Sequence, residues 1–224
     1  MKARLKPRFN LPTLVTLTAP TCAGKSYLLE EMVRRLGFTR IISTTDRQPR
    51  AGEVDGLHYH FMPTEESIAM EQAGRFAELV TYNGVRYGVT HDEMADKMSR
   101  LAPPLVILEP SGLEIYRKYC ASHGWKLFSI YVSTEESVRL QRLATRTTDD
   151  LVKLIGDTSK LNAEGVRKII DTNNMRMKAI FDMERTWISK CSWDLVVDGT
   201  DVERALSDIV LGMENRNHRF YIYE

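Results

Sequence analysis

Short apolar runs rich in β-branched residues recur along the chain at residues 14–18, 40–43, 105–108, 128–132 and 195–197. Unbroken apolarity over such lengths suits strands covered on both faces, as in a parallel sheet. Between the runs the spacing turns helical: Leu28, Leu29, Met32, Val33 and Leu36 follow one another on a face that Gly37 ends, and Ser133 with Glu136 makes a capping box ahead of Val138, Leu140 and Leu143. Asp201 is suited to cap a last helix through Ala205, Ile209 and Leu211. This βα alternation with right-handed crossovers predicts an α/β chain folded as a three-layer sandwich.

Two stretches break the alternation. Residues 44–90 are rich in Gly, Tyr, Phe and turn signals, and residues 145–176 are polar, strongly charged and poor in large apolar groups. Both read as insertions projecting from the sheet's edge. The expected organisation is one domain, with core segments 12–43, 91–144 and 177–213 around them.

Composition narrows the function. With 224 residues, 43% of them hydrophobic, the chain is long enough for a sizeable core without disulfides or metals. The 31 Lys+Arg and 30 Asp+Glu give a net charge of +1, which argues against nucleic acid or a membrane surface as a partner through the net field. Phosphate chemistry, if present, must come from a focused site. Cys22, Cys120 and Cys191 form no CxxC pair, no stretch reaches the length of a membrane span, and the expected setting is cytoplasmic and reduced. Lys2, Arg4, Lys6 and Arg8 are expected to form a solvated tail, and the aromatic end at 220–223 to dock on the core or on a second subunit; monomer and homodimer both stay open. The five histidines lack a partner pattern and are expected to be structural or exposed.

The strongest local signal is Ala19-Pro20-Thr21-Cys22-Ala23-Gly24-Lys25-Ser26, between the first predicted strand of the sheet and its helix. It is the phosphate-binding P-loop pattern with Ala19 in place of the opening glycine, so the sandwich is expected to be of the P-loop NTPase type. Backbone N–H groups of Pro20 through Tyr27 (Pro20 itself lacking one) would wrap a phosphate, Lys25 would follow the transferring group, and the Ser26 hydroxyl would bind magnesium. ATP and Mg2+ are the implied ligands. Ala19 fits only if its φ is negative, and Cys22 is read as a packing or backbone-contact position.

Downstream, Arg47 and Arg50, separated by Pro49, are able to present two planar forks to one dianionic phosphate, and Tyr59 and Tyr87 to donate hydroxyl hydrogen bonds to it. The run Ser43-Thr44-Thr45-Asp46-Arg47-Gln48-Pro49-Arg50, then Gly52-Glu53, Gly56, Tyr59 and Phe61, resembles the guanylate kinase family closely, with Asp46 where a threonine is usual. Gly74-Arg75-Phe76-Ala77-Glu78 and Gly84-Val85-Arg86-Tyr87-Gly88 extend the resemblance, which is strong in the first 90 residues and weaker to about residue 211.

The resemblance implies a nucleoside monophosphate kinase, with residues 44–90 as the NMP-binding subdomain and 145–176 as a lid. Arg47, Arg50, Tyr59 and Tyr87 then hold the acceptor phosphate, and Glu78 reads the base, since a carboxylate matches the adjacent N1–H and amino donors of guanine. Ser43 also faces the base. Val89 stands where the family has a hydroxyl donor, and Glu109 is a single carboxylate where the family has two acids, falling either near base and sugar or near magnesium water. The lid arginines implied are Arg142, Arg146 and Arg167, with Arg176 competing for the last role. The implied activity is transfer of the ATP γ-phosphoryl group to GMP or dGMP. Alternatives are a deoxynucleoside monophosphate kinase of altered or broad base specificity, a ribose bisphosphate kinase, and a non-catalytic binding module of the same fold.

Overall fold

Strand β2 (Thr13–Thr18) is buried along its whole length, and its side chains divide between two cores. Val15 and Leu17 point into one apolar cluster and Leu14 into another. The same division recurs on β8 (Pro104–Ile107), where Leu105 belongs to the first cluster and Val106 to the second. A strand whose successive side chains both find apolar cover needs no polar face, which is why these segments read as continuous apolar runs.

The structure is a computed structural model and describes residues 4–8, 12–50, 52–82, 84–109, 111–157, 162–178, 180, 191–215 and 219–223, with only the backbone for 4–8, 82 and 219–223. Its central sheet has five parallel strands in the order β10-β9-β2-β8-β3, where β3 is Thr39–Arg40, β9 Lys126–Ser133 and β10 Leu195–Asp198. Helices α1 (Lys25–Leu36) and α7 (Val202–Asn215) cover one face, packing Met32, Ile209 and Met213 on Phe128 and Ile130. Helices α3 (His91–Met98) and α4 (Gly112–Ser122) cover the other through Met94, Leu113 and Tyr116. The three-layer sandwich expected from the alternation is the observed one.

A second, four-stranded sheet in the order β5-β4-β7-β6 lies within residues 44–90 and comprises β4 (Thr44–Thr45), β5 (His60–Phe61), β6 (Phe76–Tyr82) and β7 (Val85–Thr90), with helix α2 (Thr64–Gln72) between β5 and β6. The strand expected over 40–43 is shorter than the pattern suggests. Only Thr39 and Arg40 pair with β8, after which Ser43 accepts from the His60 N–H and the chain passes to the second sheet. Asp46 explains itself here: its carboxylate accepts the Arg86 N–H at 2.9 Å, while the Thr45 hydroxyl donates to the Arg86 carbonyl at 2.9 Å. Together they satisfy both backbone groups of Arg86 and fix the β6–β7 hairpin to the 46–53 loop.

Helix α5 (Glu136–Gly156) runs without interruption across residues 144 and 145 and is followed by α6 (Ala163–Lys178). The capping box at Ser133 does not form, because Ser133 is the last residue of β9 and the neighbouring Thr134 hydroxyl donates instead to the Ala23 carbonyl. Gly37 and Asp201 do end and begin their helices, the first with φ 75° and the second by accepting the Arg204 N–H at 3.0 Å. The basic N-terminal segment is also not a free tail: β1 (Arg4–Arg8) pairs antiparallel with β11 (Arg219–Tyr223). The β-favouring aromatic end thus finds a strand partner within its own chain.

Candidate functional site

At the end of β2 the backbone turns sharply. Cys22 takes φ 64° and Gly24 φ 98°, and α1 starts directly at Lys25 with no side-chain cap, so its first N–H groups stay open to an anion. Ala19 keeps a negative φ and is buried, so its methyl group costs the turn nothing. The carbonyls behind the turn are tied down from the β9–α5 connection and from α5. Ala23 accepts from Thr134 at 3.1 Å, Cys22 accepts from Arg142 Nη1 at 3.3 Å, and Arg142 Nη2 also donates to the Gly199 carbonyl at 3.1 Å. With its oxygens engaged on that side, the turn is held as a cradle by contacts remote from it in sequence. Arg142 therefore acts on the turn itself. Asp198 closes the adjoining 198–200 turn by accepting the Thr200 N–H and hydroxyl.

Lys25 and Ser26 border a cavity of about 380 Å³ that reaches to the second sheet. Arg47, Arg50, Tyr59 and Tyr87 line its other side, and Ser43, Glu78, Glu109 and Arg146 complete it. Two cationic groups from separate elements thus face one space. Tyr27, by contrast, is 57% exposed.

Arg47 is held on three sides. Glu53 accepts from its Nη1 at 2.6 Å and Nη2 at 2.7 Å, the Tyr59 ring lies 4.9 Å from its Cζ, and the Phe61 ring lies 5.5 Å away. The Tyr59 and Tyr87 rings are 6.0 Å apart. Burial keeps the Tyr87 phenol above its ordinary range, so the group remains a hydrogen-bond donor.

Glu78 is only 7% exposed. It follows an irregularity in the β6–β7 ladder between Phe76 and Glu78, and Tyr116 donates to its Oε2 at 3.5 Å. Gly112 makes room for it, since a Cβ there would stand 3.0 Å from Glu78 Oε1. Burial, supplemented by the charge of Glu109 and opposed by the Tyr116 hydroxyl, pushes the Glu78 carboxyl up to about 7. Glu109 Oε1 stands 3.7 Å from Lys25 Nζ. One carboxylate therefore faces the P-loop lysine while its field reaches the carboxyl on β6. Val89 is fully buried in the second core and does not border the cavity.

Arg167 is exposed on α6. Arg176, nine residues further along that helix, is half-buried, donates to Asn173 Oδ1 at 3.1 Å and lies 3.9 Å from Asp150 of α5. Its proton affinity is lowered first by burial and then by the positive charges of Arg146 and Arg50. Arg146 and Arg50 line the cavity, so Arg176, which the sequence offers as the competitor of Arg167, is the α6 arginine that stands near them; the surroundings that favour it left no mark in the pattern. Tyr116 and the clamp by Glu53 were also invisible in sequence, since Tyr116 meets Glu78 across 38 positions.

The sequence model of the guanylate kinase family matches residues 12–175. Among curated relatives, the guanylate kinase of Helicobacter pylori is 33% identical over 140 residues, an alignment covering 61% of this chain and 65% of that protein, just short of two thirds of its length. That of Bartonella quintana is 26% identical over 196 residues, covering 83% and 88%. A crystal structure of guanylate kinase from Anaplasma phagocytophilum superposes with a TM-score of 0.59 at 19% identity, covering 96% of this chain and 89% of that one, and shows the shared fold.

Proposed function

Because the chain belongs to the guanylate kinase family, we propose that it transfers the γ-phosphoryl group of ATP to GMP or dGMP. The observation that carries this reading is that one cavity is bordered by Lys25 and Ser26 and by Arg47, Arg50, Tyr59 and Tyr87, with Glu78 also in its lining.

The acceptor phosphate is already an anion and needs no general base. The protein's task is to bring two anions together and neutralise the charge between them. The open N–H groups at the start of α1 and Lys25 bind the donor phosphates. Arg47 and Arg50 hold the acceptor phosphate with the hydroxyls of Tyr59 and Tyr87. Arg146 and Arg176 supply positive charge at the transferring group and, with α5 and α6 over the cavity, exclude water. Arg142 positions the P-loop through its carbonyls, and Arg167 contributes at the same lid at longer range.

Ser26 is the residue that would hold magnesium, which when bound would offset charge on the donor phosphates. Among the described residues no group of three or more His, Cys, Asp or Glu could hold a metal ion alone. A hard dication that keeps waters and takes most ligands from phosphates suits so sparse a donor set. Glu78, as a carboxylate, accepts the N1–H and amino group of guanine, and an analogue lacking those donors leaves a buried acceptor unpaired. Among the described residues no helix is long and apolar enough to cross a membrane.

Measuring ADP release by a coupled assay across the common ribo- and deoxyribonucleoside monophosphates tests the reading. The highest kcat/KM is expected for GMP and dGMP. Equal use of all bases would instead support the broad-specificity alternative, and absence of any turnover the binding module.

A further inference from the structure

Glu53 belongs to no role assigned above, yet its carboxylate accepts three hydrogen bonds from within the 46–53 loop. One oxygen accepts Arg47 Nη2 at 2.7 Å, and the other accepts both Arg47 Nη1 at 2.6 Å and the Arg50 backbone N–H at 2.7 Å. The Glu53 N–H in turn donates to the Arg50 carbonyl at 3.0 Å. Main chain and side chain therefore close the same turn from both directions, and the pair is well shielded, with 11% of the Arg47 and 17% of the Glu53 side chain exposed.

We infer that Glu53 is a positioning residue for the acceptor phosphate: its carboxylate holds the Arg47 fork and closes the loop that carries Arg50, so the phosphate site is assembled before the substrate arrives. This rests on the reading of Arg47 and Arg50 as phosphate-binding residues.

Donor arithmetic supports it. A guanidinium has five N–H bonds. Glu53 takes one from each terminal nitrogen, and a second on Nη1 goes to the Gln48 carbonyl at 3.0 Å. What remains is the Nε–H and one Nη2–H, adjacent and parallel along the side of the fork, with the Tyr87 hydroxyl close enough to interact with the guanidinium. Such a pair is a bidentate set for a phosphate. Nε is buried and has no hydrogen-bond partner among the described residues.

Charge supports it independently. Arg47 and Arg50 share one loop, and the charges of Arg146 and Arg50 both act on Arg176. Without a fixed counter-charge, Arg47 would turn outward to water, and ordering it would then be charged against substrate binding. The Arg47 guanidinium and the Arg50 N–H hold the Glu53 carboxyl down at about 2, so it stays ionised throughout the working pH range.

Equilibrium binding of GMP and of guanosine, with kcat and both KM values, tests the inference on Glu53→Gln. The variant should bind GMP about tenfold or more weakly, the scale of losing charge-assisted bonds. Guanosine affinity, the KM for ATP and kcat at saturating GMP should stay within about threefold of wild type. Unchanged or tighter GMP binding overturns the inference, as does equal loss of GMP and guanosine, which would mark a merely structural role. If Glu53→Gln does not fold, Glu53→Asp keeps the charge with shorter reach, and must lose GMP affinity but not guanosine affinity. Wild-type protein that fails to bind GMP would overturn the reading of the cavity itself, whereas wild-type binding with an unaltered Glu53→Gln overturns only the role of Glu53.

Discussion

Cys22 holds a backbone angle of 64°, a conformation that costs an L-residue roughly 1–2 kcal/mol and a glycine almost nothing. Part of that gain would be lost to glycine's greater freedom in the unfolded chain. Cys22→Gly is expected to stabilise the protein by about 0.5–1 kcal/mol, raising Tm by about 2 °C by calorimetry, with the P-loop unchanged. At Lys25, substitution removes an ion pair to a partly exposed carboxylate, so the fold should survive. Lys25→Ala should lower kcat by on the order of 10² to 10³ or more with a native circular dichroism spectrum, and near-normal turnover would remove Lys25 from the mechanism. Glu78 brings a pH dependence with a definite sign. Its carboxyl is raised from 4.5 to about 7 in the folded protein, so its contribution to stability is fully present below about 4.5 and lost as pH rises towards 7. Guanine needs the ionised form, so the opposite trend holds for binding: GMP affinity should strengthen as pH rises through about 7, and Glu78→Gln should flatten that profile.

The lid helices make the element-scale prediction. Arg167 and Arg176 lie nine residues apart on α6, roughly 14 Å along its axis, so both cannot reach the same phosphate. Arg176 shares its surroundings with Arg146 and Arg50, and Arg176→Ala should lower kcat by on the order of 10² or more, while Arg167→Ala changes it less than tenfold. Sequence and structure part at such places for a physical reason. Strands β2, β8 and β9 were legible because burial on both faces leaves an unbroken apolar run, and the P-loop was legible because its chemistry is confined to eight consecutive residues. The Ser133 box failed because long-range strand pairing claimed the residue: Ser133 ends β9 in register with Asp198 of β10, and its carbonyl accepts the Gly199 N–H at 2.7 Å. Arg40 through Ser43 read as one strand, yet the run spans a passage between two sheets, and no local pattern records which sheet a residue will join. In the cavity, Arg47, Arg50, Tyr59, Tyr87 and Glu78 could be proposed from order and chemical type. The partners that tune them, Tyr116 from α4 and Glu109 beside Lys25, come from separate elements and leave no signature of their own.

On the scale of the whole molecule, a parallel sheet supplies the donor turn and a smaller mixed sheet supplies the acceptor loop. Chain passages at 41–43 and at the β7–α3 junction join the two. In the proposed reaction neither sheet suffices alone: Lys25 belongs to the first and Arg47 to the loop of the second, and transfer between two nucleotides would use the cavity they share. A ligand that carries adenosine and guanosine at the ends of one five-phosphate chain spans both halves at once, and steady-state inhibition by it is the most direct test. Inhibition competitive with ATP and also with GMP is the predicted result, and inhibition competitive with one of them alone would contradict a common site for the two phosphates.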